Sequence, residues 1–116
     1  MDQSNNRYTI EGNQLKIGDS VLEFKFPIVQ SLEISGMLIL RLEVPIKTIY
    51  NENVFGVSMV EKKIKWQIDK RRYSNENCPF TYISLFNDEL TLINWCSIYF
   101  TVSPLTGAIL KEGFSK

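Results

Sequence analysis

The sequence predicts an all-β fold, and three observations support this prediction. Apolar and polar residues alternate with a period of two in several segments, which is typical of strands with one buried face. Glycine, asparagine, aspartate and proline separate these segments, as in sandwiches and barrels. Two segments that begin at Gly56 and Thr101, 45 residues apart, share a strand, tight turn and strand pattern, and this spacing is typical of propeller-type β modules. We therefore expect antiparallel meander sheets that form a small sandwich or barrel.

The N-terminal part is predicted to be a short tail followed by hairpins. Residues 1–6 are polar and are expected to form a flexible tail, whereas 7–116 form a single domain. Gly12-Asn13 predicts a hairpin turn, because both residues tolerate positive φ. The alternation over 22–26 predicts a strand that ends at Pro27.

The clearest strands lie in the middle of the chain. In residues 38–44 the apolar side chains of Leu38, Leu40, Leu42 and Val44 share one face, and Arg41 and Glu43 lie on the other. Residues 63–69 alternate as cleanly around Trp66, which is expected to lie in the core. The other predicted strands cover residues 8–10, 14–17, 32–34, 54–59, 90–95, 98–102 and 108–110.

One segment, residues 80–86, fits two structures. Phe80, Ile83 and Phe86 have helical spacing. Thr81 and Tyr82, however, favour a strand, because β-branched and aromatic side chains suit a pleated surface. We predict a strand here.

The composition argues against several classes of function. The chain has 116 residues, 13 basic and 13 acidic side chains and no histidine. A neutral balance argues against nucleic-acid binding, which usually needs a basic excess. The absence of histidine removes the commonest general base and the commonest metal ligand. Glu43 and the other acids are scattered as surface charges, so we expect no enzyme, no metal and no cofactor.

The cysteines and the terminus bear on the compartment. Cys78 and Cys96 form no metal-binding pattern, and a disulfide between them is possible but not needed. The polar N-terminus is not a signal peptide, and no apolar run approaches the ~20 residues of a membrane span. We predict a cytoplasmic protein that does not bind membranes.

A meander would place the long loops at one end of the molecule. Loops 45–53 and 70–79 would lie together, opposite the tight turns near residues 60–62, 87–88 and 104–107. Binding residues are often found on long loops that a rigid sheet positions. We therefore expect the functional residues at the long-loop end.

The candidate partner-binding residues are Tyr50, Trp95 and the basic run Lys70-Arg71-Arg72-Tyr73. Arg, Tyr and Trp are enriched among the residues that dominate protein interfaces. Each has a structural alternative. The basic run could be a solvated loop, Tyr50 could be packed rather than surface-bound, and Trp95 could be a core residue.

The two strand-turn-strand copies resemble the repeat of quinoprotein-type β-propeller blades, which reads Ala-x-Asp-x-x-Thr-Gly-x-x-x-Trp. Trp66 occupies the tryptophan position of the first copy, and Thr106-Gly107 occupy the turn of the second. Ser58 and Ser103 stand at the aspartate positions, so each copy carries half of the motif. The resemblance implies material for about two blades and does not imply a quinone cofactor.

Residues 53–116 also resemble a group of small, uncharacterised bacterial proteins. Their pattern contains Asn-Val-Phe-x-Val, Ile-x-Trp-Gln-Ile, Asn-Trp and a Pro-x-Thr-Gly turn. These elements occur here at residues 53–57, 64–68, 94–95 and 104–107. The resemblance implies no settled activity. In size and general character such proteins are similar to the immunity proteins that neutralise bacterial toxins.

The sequence favours a non-catalytic protein-interaction module, with neutralisation of a bacterial toxin as its concrete form. The alternative is a small-ligand-binding β domain, whose pocket would combine aromatic walls with a few polar groups. An enzyme ranks third. We expect a protein partner, and exposed strand edges and apolar residues on both faces of 54–59 also predict a homodimer.

Overall fold

A computed structural model shows an all-β molecule built from three antiparallel sheets. It describes residues 8–69 and 76–114. The predicted tail at 1–6 and the basic run Lys70-Arg71-Arg72-Tyr73 lie outside the described residues. The all-β prediction is confirmed, and so is the strand at 80–86.

Eleven strands form the three sheets of the described chain, and within each sheet hydrogen-bonded neighbours follow one another along the chain. The N-terminal sheet contains β1 (Thr9–Glu11), β2 (Gln14–Ile17) and β3 (Ser20–Glu23). The middle sheet contains β4 (Ile28–Ile34), β5 (Met37–Leu42), β6 (Val54–Ser58) and β7 (Lys63–Gln67). The C-terminal sheet contains β8 (Phe80–Phe86), β9 (Glu89–Asn94), β10 (Ile98–Val102) and β11 (Ile109–Phe114).

The two central strands of the middle sheet, β5 and β6, are buried on both faces. One core cluster joins Met37 and Ile39 of β5 to the C-terminal sheet, and a second joins Leu38 and Leu40 of the same strand to the N-terminal sheet. All five residues of β6 are buried. The sequence predicts about two blade-like units, and the structure has three sheets, because the N-terminal hairpins form a sheet of their own.

Burial of both faces of β6 removes one argument for self-association. The apolar residues on its two faces, which predict a homodimer from the sequence, are covered within the chain by the two outer sheets. A homodimer is therefore a proposal that rests on strand edges alone.

Trp66 lies in the core, as the sequence predicts, and it connects two sheets. A Cβ atom added at Gly56 would overlap its indole ring, and one added at Gly107 would lie 2.6 Å from it. The indole Nε1 donates a 2.8 Å hydrogen bond to the carbonyl oxygen of Pro104. Gly107 has a φ of +78°, which other residues rarely adopt. The tryptophan of the first motif copy therefore packs on the turn of the second.

The strand predicted over 22–26 ends earlier than expected, at Glu23. The backbone N–H of Phe24 donates to the carbonyl oxygen of Asn13, and the Asn13 side chain donates to the carbonyl oxygen of Phe24. These bonds hold the segment that follows β3 against the turn between β1 and β2. Phe24 then packs against Phe55 with ring centroids 5.0 Å apart. A core contact, rather than the local alternation, determines this boundary.

Among the described residues, no helix is long and apolar enough to cross a membrane.

Candidate functional site

The two long connections, one after β5 and one before β8, meet at one end of the molecule, as the meander predicts. The side-chain amide of Asn51 donates to the carbonyl oxygen of Glu76 (2.7 Å) and accepts from the backbone N–H of Cys78 (2.9 Å). The side chain of Asn77 donates to the carbonyl oxygen of Ile46 (2.6 Å). These bonds join the described parts of the two loops.

A disulfide links the second of these loops to the β9–β10 turn. Cys78 and Cys96 are 18 residues apart in sequence, and their Cα atoms are 5.5 Å apart. The sequence alone leaves the pairing of Cys78 with Cys96 open, because only the folded C-terminal sheet brings these two residues together. The crosslink lies directly beside Trp95 in the chain.

Removing the disulfide is expected to lower the free energy of unfolding by about 3 kcal/mol, since it closes a loop of this size in the unfolded chain. The double variant Cys78→Ser/Cys96→Ser tests this in denaturant titrations. Reductant should destabilise the wild type by the same amount and leave the double variant unchanged. A wild type whose stability does not respond to reductant would contradict the crosslink.

The same region contains a group of potential metal ligands. A Glu76 carboxylate oxygen and the Sγ atoms of Cys78 and Cys96 lie within 4.8 Å of one another. Both sulfur atoms belong to the disulfide, so neither is available as a thiolate. In the oxidised protein this group does not provide a metal site.

Trp95 is exposed, although the backbone around it is fixed. Its side chain is 71% exposed. Its backbone N–H donates to the carbonyl oxygen of Pro79 (2.8 Å). The Asn94 side chain accepts hydrogen bonds from the backbone N–H groups of Cys96 and Ile98, both 3.0 Å long. Trp95 is thus an exposed aromatic residue on a rigid turn. The alternative that the sequence allows, a core position for Trp95, is not observed.

Trp95 forms part of the wall of a pocket of about 260 Å³ between the middle and C-terminal sheets. The pocket is mostly apolar, and it also contains one basic and one acidic side chain. Its lining includes Arg41, Glu43, Ile46, Pro79, Phe80 and Trp95. Ile46, one of the lining residues, is 86% exposed.

The side chain of Gln30 fixes Arg41 at this pocket. Arg41 Nε donates a 2.8 Å hydrogen bond to Gln30 Oε1. The amide of Gln30 also bonds the backbone N–H (3.0 Å) and carbonyl oxygen (2.8 Å) of Ile83. Burial lowers the pKa of the Arg41 guanidinium, and the nearby charge of Glu43 acts in the opposite direction. The Gln30 side chain thus bridges the middle and C-terminal sheets, and it orients the partly desolvated guanidinium of Arg41.

Tyr50 is half-buried and is held by neighbours rather than projecting freely. Its ring lies edge-on to Phe26 with centroids 5.3 Å apart, and its hydroxyl accepts a 3.1 Å hydrogen bond from Gln67 Nε2. Burial raises the pKa of the Tyr50 hydroxyl. The hydrogen bond from Gln67 lowers this pKa, and the negative charge of Glu52 raises it further. The structure supports the packed alternative for Tyr50.

Of the predicted site residues, Trp95 lies at the pocket, Tyr50 is not among its lining residues, and the basic run lies outside the described residues. Arg41, which lines the pocket, is not among the site residues predicted from the sequence. A signal was present, because Arg41 is a charged residue on a strand that is otherwise apolar on both faces.

A family model described as a domain of unknown function, DUF7957, matches residues 5–114. The chain belongs to this family. No curated protein is significantly similar to it. Among solved structures, the chain is similar to the computationally designed Ika8 protein, with a TM-score of 0.64 and 7% identity. The match covers 95% of this chain and 34% of the designed one, and it supports the fold alone.

Proposed function

We propose that this member of the DUF7957 family is a non-catalytic protein-interaction module that binds its partner at the Trp95 end. One observation carries the proposal. Trp95 is 71% exposed while hydrogen bonds and a neighbouring disulfide hold its backbone. An exposed tryptophan on a rigid turn loses little conformational entropy on binding and offers a large contact area.

The surroundings of Trp95 have the features of an interface centre. Ile46 adds a second exposed apolar side chain beside the pocket. Residues that dominate binding energy are typically aromatic or arginine side chains next to well-packed pockets, inside a polar rim. The basic run Lys70-Arg71-Arg72-Tyr73 precedes Cys78 in the chain, and we include it in the proposed surface.

The concrete form that we propose is a cytoplasmic, immunity-type protein that neutralises a bacterial toxin. Such a protein needs a docking surface and no catalytic residues. Disulfides persist mainly in oxidising compartments. The thiol state of Cys78 and Cys96 in the native cell therefore tests the cytoplasmic part of this proposal.

We also propose that the two strand-turn-strand copies are relatives of propeller-type repeats. The packing of Trp66 from the first copy on Gly107 of the second supports this, because it makes the two half-motifs one structural unit. In this proposal the repeat stabilises the fold and takes no part in binding.

Replacing Trp95 with alanine is expected to weaken partner binding by about 30-fold or more, which corresponds to about 2 kcal/mol at a residue that dominates an interface. The partner is first captured from lysate of the native host with the wild-type protein, and dissociation constants are then measured by calorimetry.

Phe86→Ala is the matched control. Phe86 is 70% exposed and lies at the β8–β9 turn, at the opposite end of β8 from the pocket. We expect its affinity to stay within about twofold of the wild type. Equal affinities for the wild type and Trp95→Ala would rule out this surface.

A further inference from the structure

The pocket at Trp95 contains two opposite charges that do not pair with each other. Arg41 and Glu43 both line it, and no ion pair joins them among the described residues. A cavity of about 260 Å³ is slightly smaller than the usual range for drug-sized ligands. Its size therefore suits a compact molecule.

Arg41 can still donate hydrogen bonds. Its Nε is occupied by Gln30 Oε1 at 2.8 Å, whereas its Nη groups make no hydrogen bond to another described residue. A guanidinium presents its donors in a planar fork that matches a carboxylate. Because Gln30 is itself fixed by Ile83, the fork is oriented before any ligand arrives.

Glu43 supplies the acceptor. It follows β5, and its backbone N–H donates a 2.8 Å hydrogen bond to the carbonyl oxygen of Pro27. Its carboxylate forms no ion pair within the described part of the chain. A bound anion alone would be repelled by this carboxylate, whereas a ligand with both charges would satisfy Arg41 and Glu43 together.

Apolar groups form the rest of the wall. Phe80 and Pro79 line the pocket on the side of the C-terminal sheet, and the exposed side chain of Trp95 also lines it. An aromatic or aliphatic ligand body would bury apolar area against these residues.

We propose that this pocket binds a small zwitterion of the α-amino-acid type, with its carboxylate on Arg41, its ammonium group at Glu43 and its apolar side chain against Trp95 and Phe80. This site does not depend on the proposed protein partner. It would place a small-molecule site within the docking surface.

The test compares L-phenylalanine with two analogues that each lack one charge, 3-phenylpropionate and phenethylamine. Chemical shifts of the backbone amides of Phe80, Thr81 and Trp95 are followed during each titration. We expect saturable binding of L-phenylalanine, at least about tenfold tighter than either analogue, since each lost charge contact removes about 1.4 kcal/mol or more.

Two variants assign the contacts. Arg41→Gln should bind L-phenylalanine and phenethylamine equally, because the carboxylate has lost its partner. Glu43→Gln should bind L-phenylalanine and 3-phenylpropionate equally. Lys111→Gln and Glu89→Gln, both exposed and absent from the pocket lining, are the matched controls and should keep the wild-type preference.

The proposal would be overturned if L-phenylalanine showed no saturation up to about 10 mM, roughly ten times the dissociation constant of a weak, millimolar site. An analogue that binds the wild type as tightly as L-phenylalanine would also overturn it. If Arg41→Gln fails to fold, the exposed Glu43→Gln variant still gives the decisive comparison. Loss of protein binding in Trp95→Ala is a separate readout, so the two proposals can fail independently.

Discussion

Trp66→Ala is expected to lower the free energy of unfolding by about 3–5 kcal/mol, the usual effect of deleting a buried aromatic side chain. Trp66 packs directly against Gly56 and Gly107, where an added side chain would overlap its indole ring. Its removal leaves a cavity and also an unpaired carbonyl oxygen at Pro104. The contact between β7 and the β10–β11 turn would be lost.

Thermal and denaturant unfolding measure this effect, and a loss of this size should lower Tm by about 10–20 °C in a domain of this length. Trp95→Ala is the matched control, because it deletes the same side chain from an exposed position and should change stability by less than about 0.5 kcal/mol. A Trp66→Ala variant as stable as this control would contradict the packing described for Trp66.

Asn53→Ala is expected to lower the free energy of unfolding by about 3 kcal/mol or more, because it leaves several buried polar groups without partners. The Asn53 side chain is buried and donates to the carbonyl oxygens of Leu42 (2.8 Å) and Phe80 (3.0 Å). It also accepts a 2.8 Å hydrogen bond from the backbone N–H of Phe80. One amide thus joins the middle sheet to the C-terminal sheet.

Asn77→Ala is the control for this experiment. Asn77 is exposed, and among the described residues its side chain makes one hydrogen bond, to the carbonyl oxygen of Ile46. We expect it to lower stability by less than about 1 kcal/mol. Equal losses in the two variants would show that Asn53 does not have the bridging role described here.

The strands could be predicted from the sequence where alternation is local and turns are well marked. Residues 38–44 and 98–102 are examples, observed as Met37–Leu42 and Ile98–Val102. Alternation does not reveal how many layers cover a strand. The burial of both faces of β5 depends on two other sheets, and the early end of β3 depends on the contact between Phe24 and Phe55.

The site was predicted in part. Trp95 is a candidate from the sequence, but its alternation with Thr91 and Ile93 also allows a core position, and only the fold shows it exposed. The meander correctly predicts that the long loops meet. The Cys78–Cys96 disulfide and the Arg41–Gln30–Ile83 bridge could not be predicted, because each joins residues from different sheets or loops. Arg41 and Glu43 look like an ordinary solvent-facing pair until the C-terminal sheet forms the other wall of the pocket.

The most direct test of the docking surface is photo-crosslinking in the native host, with a photoreactive amino acid placed at position 46, 60 or 86. Ile46 lines the pocket, whereas Val60, in the β6–β7 turn, and Phe86, at the end of β8, are exposed and are not among its lining residues. We expect one dominant protein adduct from position 46 and none from the other two. Adducts from position 60 or 86 without one from 46 would contradict the proposed surface.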